Sequence, residues 1–128
     1  MDRYLLDTHT AMWYFNADRA LSKTAQKVIR DDYSLIHICI ASVWEIAIKI
    51  NIGKLNFPGN AAGFKRFAKA SNFVITPIKT RHLTIYENLP LIHRDPFDRL
   101  LVATAIAEEM TLITADNDIA QYDVPHVW

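Results

Sequence analysis

Along this chain the apolar positions alternate between short unbroken runs and stripes spaced three and four residues apart, the signatures of buried strands and amphipathic helices. "RYLL" (3–6) is a strand-length run, and "THTAMWYFN" (8–16) turns from it into a helix capped by Thr8 or Thr10. "SKTAQKVIRDD" (22–32) opens on a Ser N-cap and places Ala25, Val28 and Ile29 on one helical face; "SLIHICI" (34–40) follows as an Ile-rich strand. "ASVWEIAIKINIGK" (41–54) is too long for an ordinary strand and predicts a helix stopped at Gly53. A helix over "AAGFKRFAKAS" (61–71), with Phe64, Phe67 and Ala68 on one face, leads to a strand "FVITPI" (73–78) ended by Pro77, and "TRHLTIYENL" (80–89) reads as a short helix. The clearest helical pattern is "DPFDRLLVATAIAEEM" (95–110), with Asp95 as N-cap and Pro96 at the first helical position. "TLITAD" (111–116) is then a strand closed by Asp116, and "HVW" (126–128) an edge strand.

Strands alternating with helices predict an α/β sandwich with a mostly parallel sheet, whose ligands bind beyond the carboxyl ends of the strands. Asp7 and Asp116 each close a predicted strand and so emerge at that edge, where the helices bearing Glu45 and Asp98 also begin. Each of these acids has an ordinary structural role open to it. Asp95 and Asp98 suit the first turn of a helix, Asp7 a turn, and Asp116 a cap for "NDIAQY", while Glu45 is four residues from Lys49. Together they point further, because carboxylates converging on one edge repel one another until a cation neutralises them. Hard oxygen donors without paired His or Cys favour Mg²⁺, with Mn²⁺ as a substitute, and that combination serves phosphodiester hydrolysis.

Composition limits the alternatives. A chain of 128 residues with 51% hydrophobic and 22% charged residues, three glycines and five prolines fits a single domain, 1–128, and excludes a disordered or repetitive polymer. Fourteen basic residues balance fourteen acidic ones, so a nucleic-acid or membrane partner has to be argued from local features. Cys39 is the only cysteine and reads as a small buried hydrophobe. No stretch has the apolar length of a membrane span or a secretory signal, which makes the cytoplasm the expected compartment.

Four blocks, "LLDTH", "SVWEIAIKI", "HRDPFDRLLVATA" and "LITAD", in this order and spacing from Tyr4 to Tyr122, closely resemble the PIN-domain ribonucleases of the VapC toxin type. The resemblance implies a three-layer α/β/α sandwich and a Mg²⁺-dependent endoribonuclease, toxic when free and held inactive by a cognate VapB-type antitoxin. It implies Asp7, Glu45, Asp98 and Asp116 as the catalytic acids, with Asp7, Asp98 and Asp116 on the metal and Asp95 as an accessory acid. It also implies a homodimer that cleaves structured RNA, transfer or ribosomal, and an antitoxin segment lying in an apolar groove near Trp13 and Trp44.

Beside the acids, Thr8 and Thr114 are placed to orient a carboxylate, and Arg94 and Arg99 to meet phosphate oxygens. His9, His93 and Asn117 read as hydrogen-bonding neighbours. Lys54, Lys65, Arg66 and Lys69 read first as a solvated helix face and second as a nucleic-acid contact, with Phe57, Phe64 and Phe67 as core. The competing readings are a metal-dependent DNA or flap nuclease, a phosphate-accepting receiver domain, and a catalytically silent binding module. A receiver needs paired acids after its first strand, whereas here Asp7 stands alone.

Overall fold

The structure, a computed structural model, describes residues 2–128. Its centre is a sheet of five parallel strands: β1 (Asp2–Leu6), β2 (Ser34–Cys39), β3 (Val74–Thr76), β4 (Thr111–Ile113) and β5 (His126–Val127), in the order β3-β2-β1-β4-β5. Six helices connect them: α1 (Thr8–Phe15), α2 (Lys23–Arg30), α3 (Ile40–Asn51), α4 (Asn60–Ala70), α5 (Thr80–Glu87) and α6 (Pro96–Glu108). This is the predicted α/β sandwich, with every pairing parallel.

Side chains of a strand alternate between faces, so each strand feeds two cores. Leu5, Cys39 and Leu112 face the layer built by α5 and α6, where they meet Leu101, Ala105 and Met110. Leu6, Ile36, Ile38 and Ile113 face the opposite layer, against Ala11, Ala25, Ile29, Phe64 and Ala68 of α1, α2 and α4. Helix α3 straddles the two, giving Ala41 to the first core and Ile46 to the second. Sheet faces covered on both sides explain why Leu5 and Leu6, and likewise Leu112 and Ile113, are buried although they point to opposite faces; His37 of β2 is a buried polar exception, bonded through Nδ1 to Thr76 at 2.9 Å.

Several boundaries differ from the sequence reading, each for a local reason. Ile40 opens α3 because Cys39, with extended backbone, acts as its cap, its sulfur accepting from the Ala41 N–H at 3.4 Å. Helix α1 is capped by Asp7, whose carboxylate accepts from the Thr10 N–H, and neither Thr8 nor Thr10 takes that role. Strand β4 stops at Ile113, so Asp116 lies in the following loop, and "NDIAQY" contains a 3-10 turn at Ile119–Gln121.

The chain runs outward from β1 to β2 and β3, then returns to place β4 on the other side of β1. Strand order therefore reverses at β1/β4, and the loops leaving these two strands splay apart and open a crevice at their carboxyl ends.

An acidic crevice at the carboxyl ends of the central strands

That crevice, about 460 Å³, is lined by Asp7, Thr8, His9, Trp13, Glu45, Lys49, Asp95, Asp98, Ala115 and Asp116. All four predicted catalytic acids meet there, with Asp95 and Thr8 beside them. Asp7 forms the floor and is only 6% exposed. One carboxylate oxygen takes the Thr10 N–H at 2.7 Å, and the other takes the hydroxyl of buried Thr114, so charge-assisted bonds hold both oxygens in place. Thr114 in turn accepts from the Asp116 N–H at 3.0 Å, and Asp116 Oδ1 accepts from the Asp118 and Ile119 N–H groups. Thr114 thereby ties the acid of β1 to the acid beyond β4. Thr8 donates its hydroxyl to Ser42 at 2.9 Å, locking the start of α1 to the start of α3.

Asp98 enters from the first turn of α6. Asp95, the N-cap, accepts from the Phe97 and Asp98 N–H groups at 2.9 and 3.1 Å, and Pro96 needs no donor of its own at the first helical position. Burial pushes the Asp98 carboxyl up to about 7, and the nearby Asp95 and Asp116 charges add to the rise while His93 opposes it. On the far wall Glu45 pairs with Lys49 at 3.3 Å, one turn along α3.

Two arginines depart from expectation. Arg94 is exposed and does not line the crevice. Arg99 is 6% exposed and turned inward, donating to the carbonyls of Pro90 and His93 and to the Tyr122 hydroxyl at 2.9 Å, with its guanidinium 5.2 Å from the Tyr86 ring centre. It is no phosphate contact, because it is buried, its Nη1 bonds point into the fold, and it does not line the crevice. Its role is indirect. With Arg99 donating to Tyr122, the Tyr122 hydroxyl is free to donate to His93 Nδ1 at 2.8 Å, which leaves the His93 Nε2 proton for Asp98 at 3.3 Å. No local pattern points to Tyr122, which lies 24 residues beyond Asp98. Lys49 was visible only as a partner for Glu45.

The basic residues Lys54, Lys65, Arg66 and Lys69 are exposed and absent from the crevice lining, as a solvated face should be, while Phe57 and Phe64 are core and Phe67 is 40% exposed. Trp13 and Trp44 do not share one groove. Trp13 lines the crevice; Trp44, 60% exposed, packs on Phe97 in a separate apolar cleft with Ile48, Leu83, Tyr86, Pro96 and Leu100.

Donor chemistry supports a divalent cation here. Five carboxylates line it against one ammonium, Lys49, which is paired with Glu45, and an Asp98 carboxyl raised by burial and by the Asp95 and Asp116 charges belongs to a site electrostatically suited to a cation. Among the described residues, no three His, Cys, Asp or Glu side chains enclose an ion by themselves. Mg²⁺ tolerates this, since it uses one or two carboxylates and keeps several waters.

The sequence model of the PIN domain matches residues 4–125. The chain belongs to the PIN domain family. Solved structures of similar fold include VapBC2 from Rickettsia felis, bound to a DNA fragment from their promoter, with a TM-score of 0.73 and 18% identity over 98% of each chain. FitAcB from Neisseria gonorrhoeae aligns with a TM-score of 0.60 and 15% identity, over 98% of this chain and 96% of that one. No curated protein matches the chain significantly. The PIN match and these likenesses account for the parallel sheet, and the crevice lies where its strand order reverses.

Proposed function

We propose that this PIN domain is a Mg²⁺-dependent endoribonuclease of the VapC toxin type, cutting structured RNA and held inactive in the cytoplasm by a VapB-type antitoxin. The observation that carries the reading is the meeting of Asp7, Glu45, Asp98 and Asp116 from four separated segments in one crevice. Capping alone explains Asp95 and the first-turn position of Asp98. It does not explain why a buried Asp7, a proton-retaining Asp98 and two further acids share one crevice.

Asp7, Asp98 and Asp116 are the residues that would hold Mg²⁺ or Mn²⁺, which when bound supplies phosphate-charge neutralisation and water activation. Asp7 is fixed by Thr10 and Thr114 and cannot swing, so it sets the position of the scissile group. The Arg99, Tyr122 and His93 chain orients the Asp98 carboxylate from behind. Glu45 would take the proton of the water that attacks phosphorus while the P–O bond to the leaving oxygen breaks and that oxygen is protonated from solvent; Lys49, 3.3 Å from Glu45, would meet a phosphate oxygen. The exposed apolar cleft around Trp44 and Leu83 supports a protein partner, either the antitoxin or the second copy of a homodimer. Among the described residues no helix is long and apolar enough to cross a membrane.

The test is incubation of the purified, antitoxin-free chain with total cellular RNA, and separately with DNA, under Mg²⁺, Mn²⁺ or a chelator, with fragment ends mapped by sequencing. Discrete RNA cuts that need the metal and vanish in Asp98→Asn are the expected result. DNA cleavage with RNA intact gives the site to a DNA nuclease, and no cleavage of either makes the chain a binding module.

A further inference from the structure

We propose that the aromatic wall of the crevice, His9 and Trp13 braced by Trp128, is a base-binding subsite that stacks the face of an unpaired nucleobase next to the acids. This rests on the nuclease reading and names the side chains that would hold the base.

The aromatic run after Asp7 is divided by helical geometry. Tyr14 and Phe15 turn into the core, where Tyr14 lies 5.5 Å from the Phe73 ring and Phe15 5.3 Å from the Phe64 ring. Trp13 is on another face of α1 and takes no part in either core. It lines the acidic crevice together with His9, four residues earlier and therefore one turn away. The His9 and Trp13 ring centres are 5.9 Å apart with a 37° tilt, and the Trp128 ring, just after β5, is centred 5.7 Å from Trp13 with a 58° tilt. Trp128 packs on the core and anchors this short ladder, while His9 at its other end is exposed.

An aromatic surface two to six residues from the fixed Asp7 carboxylate offers a nucleotide what the acids cannot. Through a cation the acids take the phosphate, and the rings take the face of an attached base. Stacking is sequence-tolerant, because every base has such a face, but it requires that the base be free of its own neighbours. A base inside a duplex presents only its edges. Lys49 lines the same crevice and supplies a cation for the phosphate of that nucleotide.

The test uses RNA oligonucleotides carrying 2-aminopurine, single-stranded or annealed to a complement, titrated with the chain in Ca²⁺ so that binding is read without cleavage. Stacking predicts fluorescence quenching by the wild type on the single strand. It predicts that Trp13→Leu weakens single-strand affinity by about 5- to 100-fold, that Trp13→Phe recovers most of it, and that duplex affinity does not move. Melting curves report whether each variant folds, and His9→Ala, an exposed position, gives a smaller loss of the same kind if Trp13→Leu does not fold. Unchanged single-strand affinity in these variants, or equal losses on single strand and duplex, overturns the proposal. Quenching that depends on Trp13 in a chain that cuts no RNA under Mg²⁺ upholds the stacking site and refutes the nuclease reading; metal-dependent cutting with no dependence on Trp13 does the reverse.

Discussion

Asp98 keeps a proton that an exposed aspartate would lose some three pH units earlier, because its carboxyl is about four-fifths buried with Asp95 and Asp116 close by. The sign of the consequence follows from proton counting. Between about pH 4 and 7 the folded state binds a proton there that the unfolded chain does not, so stability falls as pH rises through that window. In chelator, Asp98→Asn is therefore expected to raise stability by about 2–4 kcal/mol at pH 8 and to leave it nearly unchanged near pH 4, read from melting temperatures. The same variant abolishes cleavage, so gain of stability with loss of function separates a functional carboxylate from a cap. At this scale the sequence disclosed the acids, because strand ends and a helix start are readable as pattern. It misassigned Arg99, whose long side chain is free to point either way until Tyr122, Pro90 and His93 supply partners from other segments.

Between elements, the far end of α6 is tied down as firmly as its first turn is exposed to the crevice. Glu108 accepts from buried His82 Nε2 at 2.9 Å and from Arg81, both on α5, while His82 Nδ1 accepts the Lys79 N–H at 3.1 Å. The His82 bond, helped by Arg81 and opposed by burial, holds the Glu108 carboxyl down to about 2. A depressed acid stabilises the fold above its unfolded pKa and loses that contribution as pH falls. Glu108→Gln is accordingly expected to cost about 1–3 kcal/mol at neutral pH, with the difference from wild type shrinking between about pH 4.5 and 2, checked by denaturant titration across pH. Helix existence was legible from apolar spacing and caps, above all in α6 with Asp95 and Pro96. The α1 cap was not, because Asp, Thr and Thr in "DTHT" are all competent caps and only the Asp7 bond to the Thr10 N–H decides among them. Asp116 was placed on a strand end because "TLITAD" is apolar up to Thr114; pairing with β1 ends at Ile113.

For the molecule as a whole, parallel strands and their alternation with helices were readable, and with them the edge that carries the acids. Strand order was not, since no local pattern records that the chain returns across β1 before forming β4. That return creates the reversal beside which Asp7 and Asp116 meet, and it turns separate acids into a site. The account's central claim is that these acids hold one divalent cation in common. Calorimetric titration of the chelator-treated chain with Mn²⁺ at about pH 8, where Asp98 is ionised, tests it without knowledge of the RNA target. The account predicts saturable binding by the wild type that weakens at least about tenfold in both Asp7→Asn and Asp98→Asn. A wild type that binds no Mn²⁺, or folded variants that bind it as tightly as the wild type, would contradict it.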